Sequence, residues 1–137
     1  METENIKIGM KRAATGRVSE ENSALAMGSG SLPVYATPAM TCLMEKAAAE
    51  LAEECLPEGW TSVGIFLSVQ HKAATPIGME VRAEAEVTAV EGRKITYAVR
   101  AFDGREEIGS GTHERFAVLR QKFMAKAEAK RAAGQEG

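Results

Sequence analysis

Between Thr37 and Cys55 the apolar residues fall at positions 40, 43, 44, 47, 48, 51, 52 and 55. That i, i+3, i+4, i+7 spacing predicts an amphipathic helix with one buried stripe. Pro38 suits the first helical position, because its missing N–H would have no intrahelical partner there. Thr37 before it can cap the free N–H groups. Pro57 and Gly59 end the run. Glu45 stands at the margin of the stripe.

Beyond the helix the chain alternates with period two. From Trp60 to His71, Val63, Ile65, Leu67, Val69 and His71 share one face, and Ser62, Phe66, Ser68 and Gln70 the other. A break follows at Ala74-Thr75-Pro76-Ile77-Gly78. Val81, Ala83, Ala85, Val87 and Ala89 then oppose Arg82, Glu84, Glu86 and Thr88, the pattern of a strand with one wet face. Glu91-Gly92 is a turn, after which Ile95, Tyr97, Val99 and Ala101 alternate with Lys94, Thr96, Ala98 and Arg100. Asp103-Gly104 signals a tight turn into a last strand, roughly Glu107 to Leu119. Gly109 and Gly111 mark a bulge or a close backbone approach within it. Ahead of the helix, Ile6, Ile8 and Met10 alternate and Val18 follows, a modest strand signal over residues 5–18. Residues 19–36, with Gly28-Ser29-Gly30-Ser31 at their centre, read as a flexible loop or lid. Residues 121–137 read as a solvated, helical C-terminal tail.

The expected order is strand, loop, long helix, then four strands whose short connections make them antiparallel neighbours. An antiparallel five-stranded sheet wrapped around one long central helix buries both the helix stripe and the strand faces. The expectation is an α+β chain forming a single domain over residues 1–137. A sheet with free edges further predicts a homodimer, or a higher oligomer, through those edges.

Composition adds limits. At 137 residues the chain is long enough to bury a real core, and 45% apolar with 26% charged residues suits a soluble globular protein. A net charge of −2 supplies no general attraction to nucleic acid or to an anionic membrane, so neither is an expected partner. The polar start and the lack of a long apolar run point to a cytoplasmic protein. Cys42 and Cys55 lie 13 residues apart in the helix, about 20 Å at roughly 1.5 Å per residue and outside disulfide reach. They read as small buried apolar residues.

The candidates for chemistry are few. Glu45 is either a solvated helix residue or a desolvated base or nucleophile. His71 ends an apolar row, and His113 sits in Gly109-Ser110-Gly111-Thr112-His113-Glu114-Arg115; each is either a packed histidine or a catalyst. No ligand spacing supports a metal, no serine sits in a nucleophile elbow, and no glycine pattern suits a nucleotide, so no cofactor is expected. Arg115, with Arg93, Lys94 and Arg100, either binds phosphate or forms a solvated face.

Taken together, two segments resemble the fluoroacetyl-CoA thioesterase-like family of the hotdog-fold superfamily. One is Thr37 to Glu45, ending in Leu43-Met44-Glu45. The other runs from Gln70-His71-Lys72-Ala73-Ala74-Thr75-Pro76 through Val90 to Lys94 and Phe102-Asp103-Gly104 to the Glu107–Arg115 run. The resemblance covers about residues 34 to 126. It implies a hotdog fold, a homodimer, and an acyl-CoA thioesterase whose Thr/Glu/His set falls on Thr37, Glu45 and His71. It also puts the Gly64 N–H where the thioester carbonyl oxygen binds, and Arg115 near the site. The family carries aromatic residues over its substrate before the helix, whereas Ser23 to Pro33 holds none here. A short or medium acyl-CoA is therefore the expected substrate class. Two alternatives stay open: an enoyl-thioester hydratase, and a non-catalytic acyl-CoA-binding protein.

Overall fold

The long helix is present as α2, Thr37–Cys55 in chain order, and it buries Met40, Met44, Ala47, Ala48, Leu51 and Ala52. The computed structural model describes residues 1–136. The other elements are β1 (Lys11–Arg17), α1 (Ala24–Met27), β2 (Trp60–His71), β3 (Glu80–Glu91), β4 (Lys94–Phe102), β5 (Glu107–Leu119) and α3 (Arg120–Glu136). The stripe of α2 packs across β1, β2, β3 and β4. Small residues make this contact close: Ala47, Ala48 and Ala52 on the helix and Ala83, Ala85 and Ala101 on the sheet are all fully buried. Met40 and Met44 are the largest helix side chains in that layer. Truncating Met44 to Ala would cost about 2–5 kcal/mol. Tyr97 of β4 adds a polar tie, its hydroxyl donating to the Ala48 carbonyl at 3.1 Å.

The start of α2 differs from the expectation. Ala36 is the cap residue, in extended conformation and with no side-chain cap bond. Thr37 is already helical, and its hydroxyl is spent on His71. A tertiary partner has taken the group that local chemistry assigned to capping.

One antiparallel sheet of five strands runs in the order β1-β3-β4-β5-β2. The pairs β3–β4 and β4–β5 are the expected hairpins. β2 and β3, however, are not neighbours: β2 lies at the far edge beside β5. The chain between them crosses over through Thr75, Pro76 and Gly78. This crossover is held by bonds from the Lys72 N–H to the Ile108 carbonyl, from the Tyr35 N–H to the Thr75 carbonyl, and from the Gly78 N–H to the Val18 carbonyl. Thr75, fully buried, donates to Asp103 at 2.8 Å, tying the crossover to the β4–β5 turn.

Three further expectations are corrected. Ile6, Ile8 and Met10 are not strand: residues 1–10 form turns closed by bonds such as the Ile6 N–H to the Thr3 carbonyl, and of these three apolar residues Ile6 alone is buried. In β2 the register shifts between Gly64 and Phe66, so Ile65 bulges out and is 50% exposed. The apolar row read from Val63 to His71 therefore breaks in phase, because one extra residue flips every side chain beyond it. Cys42 is exposed and Cys55 half-buried, both as free thiols; Cys42 lies outside the apolar stripe.

Gly109 and Gly111 do mark close approach. A Cβ at Gly111 would collide with the Ser68 carbonyl of β2, and one at Gly109 with the Met40 thioether. Residues 19–36 are more ordered than a plain loop. Ser23 caps α1 through the Ala26 N–H, Gly28 closes it in a left-handed turn, and isolated bridges join Ser23 to Tyr35 and Val34 to Pro76. The C-terminal tail is helical from Arg120 to Glu136, and Gly137 lies outside the described residues. Among the described residues no helix is long and apolar enough to cross a membrane.

Candidate active site

The first turn of α2 and the end of edge strand β2 meet at one side of the sheet. There Thr37 Oγ1 lies 2.8 Å from His71 Nδ1, although the two residues are 34 positions apart. They line a cleft of about 280 Å³ with Ala24, Val34, Tyr35 and Ala73. Nε2 of His71 is buried and has no hydrogen-bond partner among the described residues. Desolvation lowers the His71 pKa, opposed in part by the nearby Ala73 backbone. A neutral imidazole with one tied nitrogen and one waiting nitrogen can accept a proton and hand it on.

Glu45 lies eight residues further along α2, about 12 Å away at roughly 1.5 Å per residue. Its carboxylate rests against the backbone of β2 where the bulge begins: a Cβ on Gly64 would stand 2.9 Å from Oε2. Its side chain is 43% exposed, and Nη1 of Arg115 lies 3.9 Å from Oε2. Arg115 itself is buried, correcting any reading of it as part of a solvated face. Its Nε donates to Ser62 Oγ at 2.8 Å and its Nη2 to the Ser62 carbonyl at 3.0 Å. Nη1 lies 3.2 Å from Nε2 of His113.

His113 is fully buried and stacks on Tyr97, ring centres 5.9 Å apart. Its Nδ1 is 2.8 Å from the Phe66 carbonyl. A carbonyl only accepts, so Nδ1 carries the proton and Nε2 accepts from Arg115. Burial lowers the His113 pKa and keeps this neutral form. His113 is thus structural in its packing, as one of its two sequence readings had it, but it also orients Arg115.

Folding therefore brings the predicted residues into two clusters, Thr37 with His71 and Glu45 with Gly64 and Arg115. No hydrogen bond or ion pair among the described residues joins them within one chain. Sequence reasoning missed Ser62 and the bulge at Ile65. The spacing of His113 and Arg115, two apart on one strand face, was the available signal for their pairing.

A sequence model of the fluoroacetyl-CoA-specific thioesterases matches residues 18–121, a span containing all of these side chains. The chain belongs to this family. The fluoroacetyl-CoA thioesterase of Streptantibioticus cattleyicolor is 46% identical over 101 residues, covering 74% of this chain and 73% of that protein. A solved fluoroacetyl-CoA thioesterase superposes with a TM-score of 0.85 at 36% identity, over 91% of this chain and 97% of the other. A variant of such an enzyme in complex with acetyl-CoA gives a TM-score of 0.86 at 35% identity, over 91% and 98%. A Thermus thermophilus member of the thioesterase superfamily reaches 0.91 at 26% identity, over 98% and 99%. The curled sheet around α2 is thus the hotdog fold of the thioesterases.

Proposed function

We propose that this family member hydrolyses a short or medium acyl-CoA to the carboxylic acid and CoA, using Thr37, Glu45 and His71. The observation that carries the reading is the 2.8 Å Thr37–His71 bond, a hydroxyl and an imidazole brought together beside a cleft. A thioester carbonyl is electrophilic and thiolate leaves readily, so a carboxylate can attack it or activate water. Glu45 fills that role. The Gly64 N–H receives the carbonyl oxygen as charge develops on it, and Arg115 supplies a positive charge nearby. His71 moves protons between water and the departing sulfur, and Thr37 holds its ring. The water supplies OH to the acyl carbon and H to the sulfur.

The site spans two copies of the chain. β2 is a free edge of the sheet, and both clusters lie along it. An antiparallel β2–β2 pair with its two-fold axis between Leu67 and Ser68 puts Gly64 of one copy level with His71 of the other. That arrangement closes the gap of about 12 Å that one straight helix leaves between Thr37 and Glu45. The segment carrying α1, which supplies Ala24 and Val34 to the cleft, acts as a lid. Its stretch Ser23–Pro33 lacks aromatic residues, which favours ordinary short or medium acyl groups over a fluorinated one. The complex of a relative with acetyl-CoA supports the same substrate class. Free thiols and a CoA ester substrate suit the cytoplasm.

Thiol release from a series of acyl-CoA esters tests the reading. Glu45→Ala is expected to lower kcat by about two orders of magnitude or more with the dimer still folded. Undiminished turnover would remove Glu45 from the mechanism.

A further inference from the structure

An arginine free to move beside a carboxylate closes into a short ion pair of about 2.7–2.9 Å. Arg115 does not do so here. Three of its donors are engaged before it reaches Glu45: Nε and Nη2 on Ser62, and Nη1 on His113. Nη1, the atom nearest Glu45, is left 3.9 Å from Oε2, outside hydrogen-bond range. The frame behind this is stiff. His113 is fixed at its other nitrogen by the Phe66 carbonyl, beside the bulge that sets Gly64. It stacks on Tyr97, whose hydroxyl is tied to α2 at Ala48.

We propose that His113 and Ser62 are positioning residues that hold Arg115 back from Glu45. The guanidinium then acts as a standing charge and does not occupy the carboxylate. This rests on Glu45 being the reacting carboxylate. A carboxylate held in a full ion pair is a poorer nucleophile and base, since its lone pairs are engaged and its anionic form is over-stabilised. Releasing Nη1 lets Arg115 advance onto Glu45, and turnover falls although every catalytic group is still present. The other ionisable groups whose charge bears on Arg115 are Tyr97 on β4 and Glu53 on α2, while Glu114, next to His113 in β5, points to the opposite face of the sheet. None of these is altered by the variants below.

The test uses the full chain in steady-state thiol release from a short acyl-CoA, read as kcat and KM. His113→Asn keeps a donor for the Phe66 carbonyl but loses the acceptor for Arg115; His113→Gln puts an amide near the lost Nε2. His113→Asn is expected to lower the rate about tenfold or more with KM changed less than about twofold. His113→Gln should recover most of the rate. His113→Asn combined with Arg115→Met should be no slower than Arg115→Met alone, because the tether acts only through the arginine. Ser62→Ala loosens the same guanidinium from its other side and should lower kcat in the same way, so the test survives poor folding of a His113 variant.

An unchanged rate in His113→Asn and Ser62→Ala overturns the proposal. So does a loss confined to KM, or equal losses in His113→Asn and His113→Gln. Glu45→Ala separates the two levels: an active Glu45→Ala enzyme defeats the assignment of Glu45. An inactive one beside normal His113 and Ser62 variants defeats only the tether.

Discussion

Gly64 and Glu45 are fitted to one another, for the place a Gly64 side chain would fill lies 2.9 Å from the Glu45 carboxylate oxygen. The nearest atom met there is the end of a flexible side chain, and the His113 ring at 3.3 Å and Arg115 Nη1 at 3.4 Å need give by only a few tenths of an ångström, so Gly64→Ala should fold and displace the carboxylate. At Gly111 the added methyl meets the Ser68 carbonyl, which is backbone and cannot step aside. Gly64→Ala is therefore expected to lose kcat with a small change in Tm. Gly111→Ala should lose about 1–3 kcal/mol of stability. Denaturant melts and thiol-release assays on both variants check this, and the reverse order would contradict the assigned packing.

Thr37 contributes a hydroxyl to His71 rather than a helix cap. Thr37→Ser keeps that hydroxyl and should retain most activity. Thr37→Ala leaves Nδ1 of His71 unpartnered and should lower kcat by about tenfold or more, with a stability loss near 1 kcal/mol. If Thr37→Ala melts much earlier yet turns over normally, Thr37 is a structural residue only.

The two histidines set a pH window for stability. Burial holds the folded-state pKa of both His71 and His113 below the ordinary imidazole value of about 6.5. The unfolded chain therefore takes up protons first as pH falls, and stability present above about pH 6.5 is lost below it. Asp103 and Glu107 have lowered carboxyl pKa values, Glu107 chiefly through its hydrogen bond from Lys72 and Asp103 through bonds that outweigh its burial. Their contribution is lost only as pH falls below about 4. Tm is thus expected to decline between pH 7 and 5, and less steeply in His113→Gln. A flat profile across that interval would contradict the burial of these rings.

A site shared between copies predicts complementation. Glu45→Ala and His71→Ala dimers should each be inactive, and a hetero-dimer would retain one intact set. Random mixing of the two variants after unfolding and refolding should recover about a quarter of wild-type activity. Differently tagged chains verify that hetero-dimers form. No recovery in their presence would place Glu45 and His71 of one chain in the same site.

The 3.6-residue spacing of α2 and the period-two spacing of β3, β4 and β5 were legible in the sequence because each is a local repeat imposed by burying one face. The turns at Glu91-Gly92 and Asp103-Gly104 were legible for the same reason. Thr37, Glu45, His71, Gly64 and Arg115 entered as candidates through the family resemblance of their motifs, where periodicity says little. What only the tertiary structure decided rests on partners far away in the chain. β2 pairs with β5 and not β3, the bulge at Ile65 resets which residues face α2, and Thr37 bonds His71 in place of its own helix end. Ser62, unremarkable in its segment, meets Arg115 only once β2 and β5 align, and the same alignment brings the Phe66 carbonyl to His113. A long-range pairing competes with the local preference and wins when it satisfies a buried polar group that local structure would leave alone.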